Sequence, residues 1–324
     1  GTAATVTDAD VIIGRIDPTH FAGGKVRLDI DAAARAVDTS IGGALGVSIM
    51  AAAAGIDEIV NENMANAARV HAIENGKETH GRTLVAFGGA APLHAARLAE
   101  KLGVERVIVP RGAGVGSAVG FLRAPIGYEV VRTRYMDMRN FDAARINSVF
   151  EEMRAEAEAV VRTGAPIGDL TETRTAFMRY RGQGHEITVD LPIRAYQAED
   201  EGIFQNAFDE SYEELFSRII PNLTVEVLTW TLSLSTDPSL PKPVKVPSAS
   251  APGVPQGERT VFDAVSGQNV MTPVYSRTSL EPGATLAGPA IIVEDETSTL
   301  VTAGFDATIN SLGQIVLTKK GAAS

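Results

Sequence analysis

The sequence predicts an α/β fold followed by an α+β module and a small all-β domain, and three observations carry that reading. Through residues 1–138, short apolar runs alternate with stretches of helical periodicity, as in successive βα units. Residues 139–237 set amphipathic helices beside a hairpin and an alternating strand. After a proline-rich linker at 238–256, residues 257–324 break into short strands between Gly and Pro turns.

The elements follow in order. DADVIIGRI supplies a short apolar run, and Asp17-Pro18 and Gly23-Gly24 punctuate the loop behind it. Asp31 can cap a helix that runs through Ala34 and Val37 and breaks at Gly42-Gly43. Ser48 is a second N-cap. From Ala52 to His71 apolar residues recur at three- and four-residue steps, so one long helix ends at Asn75-Gly76 and spans about 40 Å. RTLVAFGGAAPLHAARLAEKLGVERVIVP then reads as a βαβ unit. Leu84 to Phe87 is a buried-type strand, Gly88-Gly89 a tight turn, Ala91 to Leu102 a helix closed by Gly103, and Val107 to Val109 the next strand. A second glycine turn, Gly112 to Gly116, opens a helix through Leu122. Beyond Asp137 come a helix from Phe141 to about Thr163, a hairpin over Thr175 to Leu191 around Gly182-Gln183-Gly184, a helix over Phe204 to Phe216 and a strand over Thr224 to Leu234. Six prolines between Pro238 and Pro255 mark the linker.

Composition narrows the function. With 44% hydrophobic and 21% charged residues, the 324-residue chain has the make-up of a globular protein with two or three domains, and it has no apolar run long enough to span a bilayer. A net charge of -11 repels phosphate backbones, so nucleic acid is not an expected partner. The absence of cysteine removes disulfides, thiolate nucleophiles and Cys-ligated metals. No charged-then-apolar leader opens the sequence, which points to the cytoplasm. The chain begins without Met, at GTAATVTDADVIIGRIDP, and reads as a processed, truncated or split product.

In AFGGAAP, two glycines between a strand and a helix N-terminus let backbone amides approach a nucleoside or phosphate; such turns also serve packing alone, and both readings stand. The pattern is neither a Walker loop nor a GxGxxG turn. His94 follows one helical turn later, where it could face a nucleotide or sit in the core. None of His20, His71, His80, His94 and His185 forms a metal-ligand pair in sequence, so no metal site is expected within the chain. His185-Glu186 could act as an acid/base pair or form a solvated tip. Arg179, Arg181 and Gln183 gather donors suited to a carboxylate or a subunit contact. Glu294-Asp295-Glu296 reads as a charged edge, and Asn61, Asn63 and Asn66 as solvent or helix contacts that could reach a purine.

TVTDADVIIGRIDP, EIVNENMANAARVHAIENG, the βαβ string, MRYRGQGHEITVDLP and GPAIIVEDETST together resemble, in order and over nearly the whole chain, the C-terminal half of the hydantoinase A/5-oxoprolinase family. That family includes the ATP-binding subunits of N-methylhydantoinase and of acetone and acetophenone carboxylases. The resemblance implies that residues 1–138 are the C-terminal part of an actin-like, sugar-kinase-type nucleotide-binding core. Gly88, Gly89, Ala90 and Ala91 match the adenosine-binding turn, with His94 beside it. It also implies ATP and Mg²⁺ as cofactors, held mainly by the preceding half of the subunit, and as partners that half and a hydantoinase B-like second subunit in a hetero-oligomer.

Members of the family use ATP to activate a cyclic amide, or a ketone, as a phosphorylated imidate or enol for hydrolysis or carboxylation. Two departures stand out. The family's Asp-Gly-Gly-Thr phosphate loops do not occur in these 324 residues, so the chain alone is expected to be inactive, and no catalytic residue is assigned. The family often has Gly-Gly-Ala-Gly-Pro where this chain has Gly-Gly-Ala-Ala-Pro, and Ala91 adds a methyl where a ligand would approach. A subunit of a ketone carboxylase and a non-catalytic assembly module are the alternatives.

Overall fold

Thr5 opens the first helix with a capping box. Its hydroxyl accepts from the Asp8 amide while the Asp8 carboxylate accepts from the Thr5 amide at 2.8 Å, so the first part of the apolar run DADVIIGRI, through Ile12, is helical, and the rest is turn. The computed structural model describes residues 2–221, 223–237, 242–246 and 251–322. They fall into two compact units, one of Gly1–Leu122 with Pro241–Ser324 and one of Arg123–Leu240.

The first unit begins with α1 (Val6–Ile12), α2 (Ile30–Val37), the short turn α3 (Gly43–Leu45) and the long α4 (Ile49–Glu74). Ser48 caps α4 as expected, and Asn75 ends it. Asp29, not Asp31, caps α2, a shift of two residues within one acidic stretch. The βαβ unit follows as β1 (Thr83–Val85), α5 (Ala91–Leu102) and β2 (Arg106–Val109), then α6 (Gly116–Arg123). β1 and β2 are parallel, with Leu84 opposite Val107.

The C-terminal strands are β7 (Ala251–Pro252), β8 (Gly257–Asp263), β9 (Gln268–Ser276), β10 (Ala284–Ala287), β11 (Ala290–Val293), β12 (Ser298–Val301), β13 (Phe305–Ile309) and β14 (Ile315–Lys319). They do not make a domain of their own, which corrects the expected boundary at 257. β14 pairs antiparallel with β2, Leu317 opposite Val107, and the sheet runs β1-β2-β14-β13-β10-β7. The reason lies in β14. Ile315, Val316 and Leu317 are all buried, a continuous apolar run of the kind found in strands covered on both faces, and Ile315 and Leu317 join one cluster with Val107 and Val109 of β2 and Ala95, Ala96 and Ala99 of α5. A second sheet, β12-β11-β9-β8, seats Ile291 and Leu300 against Leu93 of α5 and Val11 of α1. Part of the expected linker is also structured, since Ala251 and Pro252 pair with β10; residues 238–241 and 247–250 lie outside the described residues.

The second unit starts earlier than the expected 139. β3 (Gly127–Asp137) belongs to it, pairing along its length with β6 (Val225–Ser235) in the antiparallel order β3-β6-β4-β5. β4 (Thr171–Tyr180) and β5 (Ile187–Leu191) form the expected hairpin, with Ile187, Val189 and Leu191 buried at alternate positions. α7 (Ala143–Gly164) buries Ile146, Phe150, Met153, Ala157 and Val161, and α8 (Glu201–Phe216) buries Phe204, Phe208 and Tyr212. The chain's single tryptophan, Trp230, sits edge-on to Phe150 and Phe204 and donates to the Arg134 carbonyl at 2.8 Å.

Candidate functional site

Two glycine loops leave the C-terminal ends of the neighbouring parallel strands β1 and β2, the end at which open α/β sheets hold ligands. They are tied together. The Gly88 amide donates to the Ala113 carbonyl at 2.7 Å, and Gly88 takes φ 119°, which a residue with a Cβ rarely adopts. A third segment, 294–297 between β11 and β12, closes on both. Thr297 Oγ1 donates to the Gly89 carbonyl at 2.8 Å, and Gly114 lies so close to Glu296 that a Cβ there would stand 2.6 Å from the Glu296 carbonyl oxygen. The 294–296 acids are therefore more than a charged edge. Burial pushes the Glu294 carboxyl above its usual range, and Arg277, with Nε at 4.0 Å, only partly offsets that.

The turn itself is open. Gly89 and Ala90 are exposed, Gly88 and Ala91 half-buried, and a Cβ on Gly89 would find its nearest neighbour at 3.8 Å. Ala90, at the N-cap of α5, offers no side-chain bond to the first helical turn, whereas Thr5, Asp29, Ser48 and Asp142 cap α1, α2, α4 and α7. The turn thus presents open backbone at a positive helix end to a polar or anionic ligand, with the Gly88 amide already given to Ala113, the Leu93 amide to the Ala90 carbonyl at 3.0 Å, and no N–H on Pro92.

His94 is not part of that open surface, which corrects the expectation that it faces a ligand. It is 4% exposed and points into a cluster drawn from three helices. Nε2 stands 3.4 Å from Asp10 Oδ2 of α1, and Nδ1 stands 3.2 Å from Asp57 Oδ1 of α4. These are ion-pair distances out of line for hydrogen bonds. Arg15, just past α1, clamps Asp57 with NH1 and NH2 at 2.5 and 2.7 Å and reaches Asp10 at 3.5 Å. Asn61, one turn on from Asp57, donates to Asp57 Oδ1 at 2.8 Å and is fully buried, so it faces no purine. Asn63 and Asn66 are exposed on the same helix.

Burial alone would lower the His94 pKa, but Asp10 and Asp57 more than reverse this and raise it to about 9. Burial likewise works against the Asp57 carboxylate, yet His94 and Arg15 hold its pKa well below the usual range. With His94 protonated, two carboxylates face two cations and the cluster is neutral. Ligand atoms of Asp10, Asp57 and His94 lie within 4.8 Å of one another, but the two ring nitrogens address different carboxylates and Arg15 already occupies Asp57, so the arrangement favours a proton over a metal ion. Sequence spacing could not show this cluster, because its members stand far apart in the chain.

In the second unit the hairpin donors are engaged internally. Arg179 pairs with Glu226 at 2.7 Å, Arg181 approaches Asp137 at 3.4 Å, and Gln183 donates to the Tyr212 hydroxyl at 3.0 Å. His185 and Glu186 are exposed at the tip. Among the described residues, no single helix is long and apolar enough to cross a membrane.

Comparison with known proteins gives a consistent result. The family description Hydantoinase/oxoprolinase matches residues 1–130, and Hydantoinase/oxoprolinase C-terminal domain matches residues 135–318. The caprolactamase alpha subunit of Pseudomonas jessenii is 30% identical over 98% of this chain and 47% of its own length. A nucleotide-free structure of acetone carboxylase, described as catalysing ATP-dependent acetone carboxylation, superposes with a TM-score of 0.80 at 26% identity, over 97% of this chain and 46% of that one. The crystal structure of the ATP-dependent caprolactamase from Pseudomonas jessenii superposes with a TM-score of 0.74 at 29% identity, over 99% and 47%. The chain spans 47% of the caprolactamase alpha subunit and 44% of the acetone carboxylase beta subunit of Xanthobacter autotrophicus, and 27% of 5-oxoprolinase 1 of Arabidopsis thaliana.

Proposed function

The chain belongs to the hydantoinase/oxoprolinase family, and on that premise we propose that it forms the adenosine side of the nucleotide site in an ATP-dependent enzyme that hydrolyses a cyclic amide. The observation that carries this reading is the open turn at Gly88, Gly89, Ala90 and Ala91, placed where parallel strands end and a helix begins without a side-chain cap. Its amides and glycine surface suit the ribose and base, and the Thr297 bond to the Gly89 carbonyl sets the turn's pitch. ATP would supply a phosphoryl group to the amide oxygen, which makes the amide carbon electrophilic enough for water to add and the ring C–N bond to break, with phosphate released when the resulting acyl phosphate is hydrolysed.

Among these residues there is no Asp-Gly-Gly-Thr loop to grip the phosphates and Mg²⁺, so that work falls to the preceding half of the subunit, and hydrolysis of the activated amide to a hydantoinase B-like partner. The relationship to an ATP-dependent caprolactamase supports a cyclic amide as substrate. A ketone carboxylase is the second reading, favoured by the superposition on acetone carboxylase. Product analysis decides between them. The complete enzyme, given ATP with caprolactam, hydantoin, 5-oxoproline or acetone plus bicarbonate, is expected to release an amino acid from a lactam or a carbamoyl acid from hydantoin; turnover of acetone alone would overturn the amide reading. For the nucleotide site, Gly89→Val is expected to weaken ADP binding measured by calorimetry, and equal binding by both proteins would refute it.

A further inference from the structure

We propose that His94 is a positioning residue for the glycine turn: as the fourth charge of a buried neutral quartet with Asp10, Arg15 and Asp57, it anchors the first turn of α5 and so holds the Phe87–Ala91 backbone ready for an adenine nucleotide. The inference rests on the nucleotide reading above and adds how the turn is held. Among the described residues α1, α2, α4 and α7 start on a side-chain cap, whereas α5, like α8, does not. Pro92 removes a further amide from its first turn. What fixes the start of α5 is therefore tertiary. Leu93 packs on Ile291 and Leu300, and His94, three residues after Ala91, is gripped from both ring nitrogens.

The grip is ionic and complete only when the charges balance. Asp10 faces His94 from α1 and Asp57 faces it from α4, Arg15 pairs with both carboxylates, and Asp263 of β8 lies within electrostatic reach of Arg15. β12, which also packs on α5, contributes the apolar Leu300. Replacing His94 by a neutral residue leaves one buried negative charge unopposed, and the cheapest response is for the first turn of α5 to move and admit water. A second change that removes one carboxylate restores the balance without restoring the histidine.

The experiment compares wild type, His94→Gln and the double variant Asp10→Asn/His94→Gln, each as the complete polypeptide. ADP affinity is read by calorimetry below and above pH 9, and amide exchange over residues 87–94 by mass spectrometry. Wild-type affinity is expected to fall as pH rises through about 9. His94→Gln is expected to bind about tenfold more weakly at neutral pH, and the double variant to recover to within about threefold with no pH dependence through that range. Should the single variant not fold, the double variant carries the comparison by its neutral-pH affinity and flat profile. Undiminished binding by His94→Gln, or a double variant that fails to recover or keeps the wild-type pH dependence, refutes the positioning role and leaves the nucleotide reading standing. If wild type binds no ADP, the nucleotide reading fails and exchange decides the anchoring alone. Faster exchange over 87–94 in His94→Gln that reverts in the double variant upholds it, and unchanged exchange refutes it.

Discussion

Arg15 closes two guanidinium nitrogens on the two carboxylate oxygens of Asp57, at 2.5 and 2.7 Å, with both side chains almost wholly out of solvent. Paired in this way the charges roughly offset their desolvation, but either one alone does not. Arg15→Ala leaves Asp10 and Asp57 facing a single cation and is expected to destabilise the first unit by about 3–5 kcal/mol. Arg15→Lys should recover only part of that, because an ammonium cannot make the two parallel bonds. Urea unfolding followed by circular dichroism measures both, and a loss near zero for Arg15→Ala would show that the pair is solvated in solution.

The cluster also sets a pH window. His94 carries a proton more firmly in the folded chain than in the unfolded one, with a pKa near 9 against 6.5, so its contribution is complete below about 6.5 and is lost as pH rises through about 9. Asp57 works in the other direction: its lowered pKa gives stability above the ordinary carboxylate range that is lost as pH falls below it. The melting temperature of wild type is expected to decline on raising pH through 9, and that decline should be shallower in Asp10→Asn/His94→Gln. Identical alkaline profiles for the two proteins would remove His94 as the titrating group.

Local chemistry made most of the fold legible, and long-range pairing hid the rest. The caps and stops Ser48, Asn75 and Gly103, the hairpin at 175–191 and the 201–216 helix are written in neighbouring residues, and the structure places them within a few positions of where the sequence does. The apolar run of the N-terminal helix is too short to show a period, although Thr5 and Asp8 spell a capping box. That β14 joins β2, across more than two hundred residues, leaves no local trace beyond its continuous apolar run. The site divides in the same way. The glycine turn is visible as a string, whereas His94 meets Asp10 and Asp57 only once three helices have packed, and an isolated buried histidine has no signature in one sequence.

Gly114 and Gly89 both touch the 294–297 segment but should respond differently to a methyl group. At Gly114 an added Cβ would meet the Glu296 Cβ and carbonyl oxygen at 2.6 Å, so the segment must move, while at Gly89 the nearest atom is 3.8 Å away. Gly114→Ala is expected to cost about 1–3 kcal/mol and to loosen the Thr297 bond to the Gly89 carbonyl, with Gly89→Ala close to neutral for stability. Thermal melts rank the two, and equal melting temperatures would mean that the 294–297 segment yields freely.

Trp230 reports on the second unit by itself, since it is the only tryptophan and is buried there. Phe204 lies 6.0 Å from it, edge-on, and is fully buried. Phe204→Ala is expected to destabilise this unit by about 3–5 kcal/mol, and Phe204→Leu by less, because the leucine keeps part of the filled volume. The check is the midpoint of the Trp230 emission change in urea. Equal midpoints for the two variants would show that the aromatic contact, not volume, is what matters.

Phosphoryl transfer depends on loops and a metal ion that neutralise the phosphate oxygens and align the acceptor, with little covalent work by the protein. In this chain the open turn offers backbone amides and no acidic side chain, the buried acids Asp10 and Asp57 are spent on Arg15 and His94, and no Asp-Gly-Gly-Thr string occurs. The purified 324-residue chain is therefore expected to show no ATP hydrolysis above background with Mg²⁺ and any lactam, hydantoin or ketone, while the complete enzyme turns over. Phosphate release assays test this directly. Robust hydrolysis by the isolated chain would mean that a phosphate-binding surface exists among these residues, and would overturn the proposal that phosphate handling lies outside them.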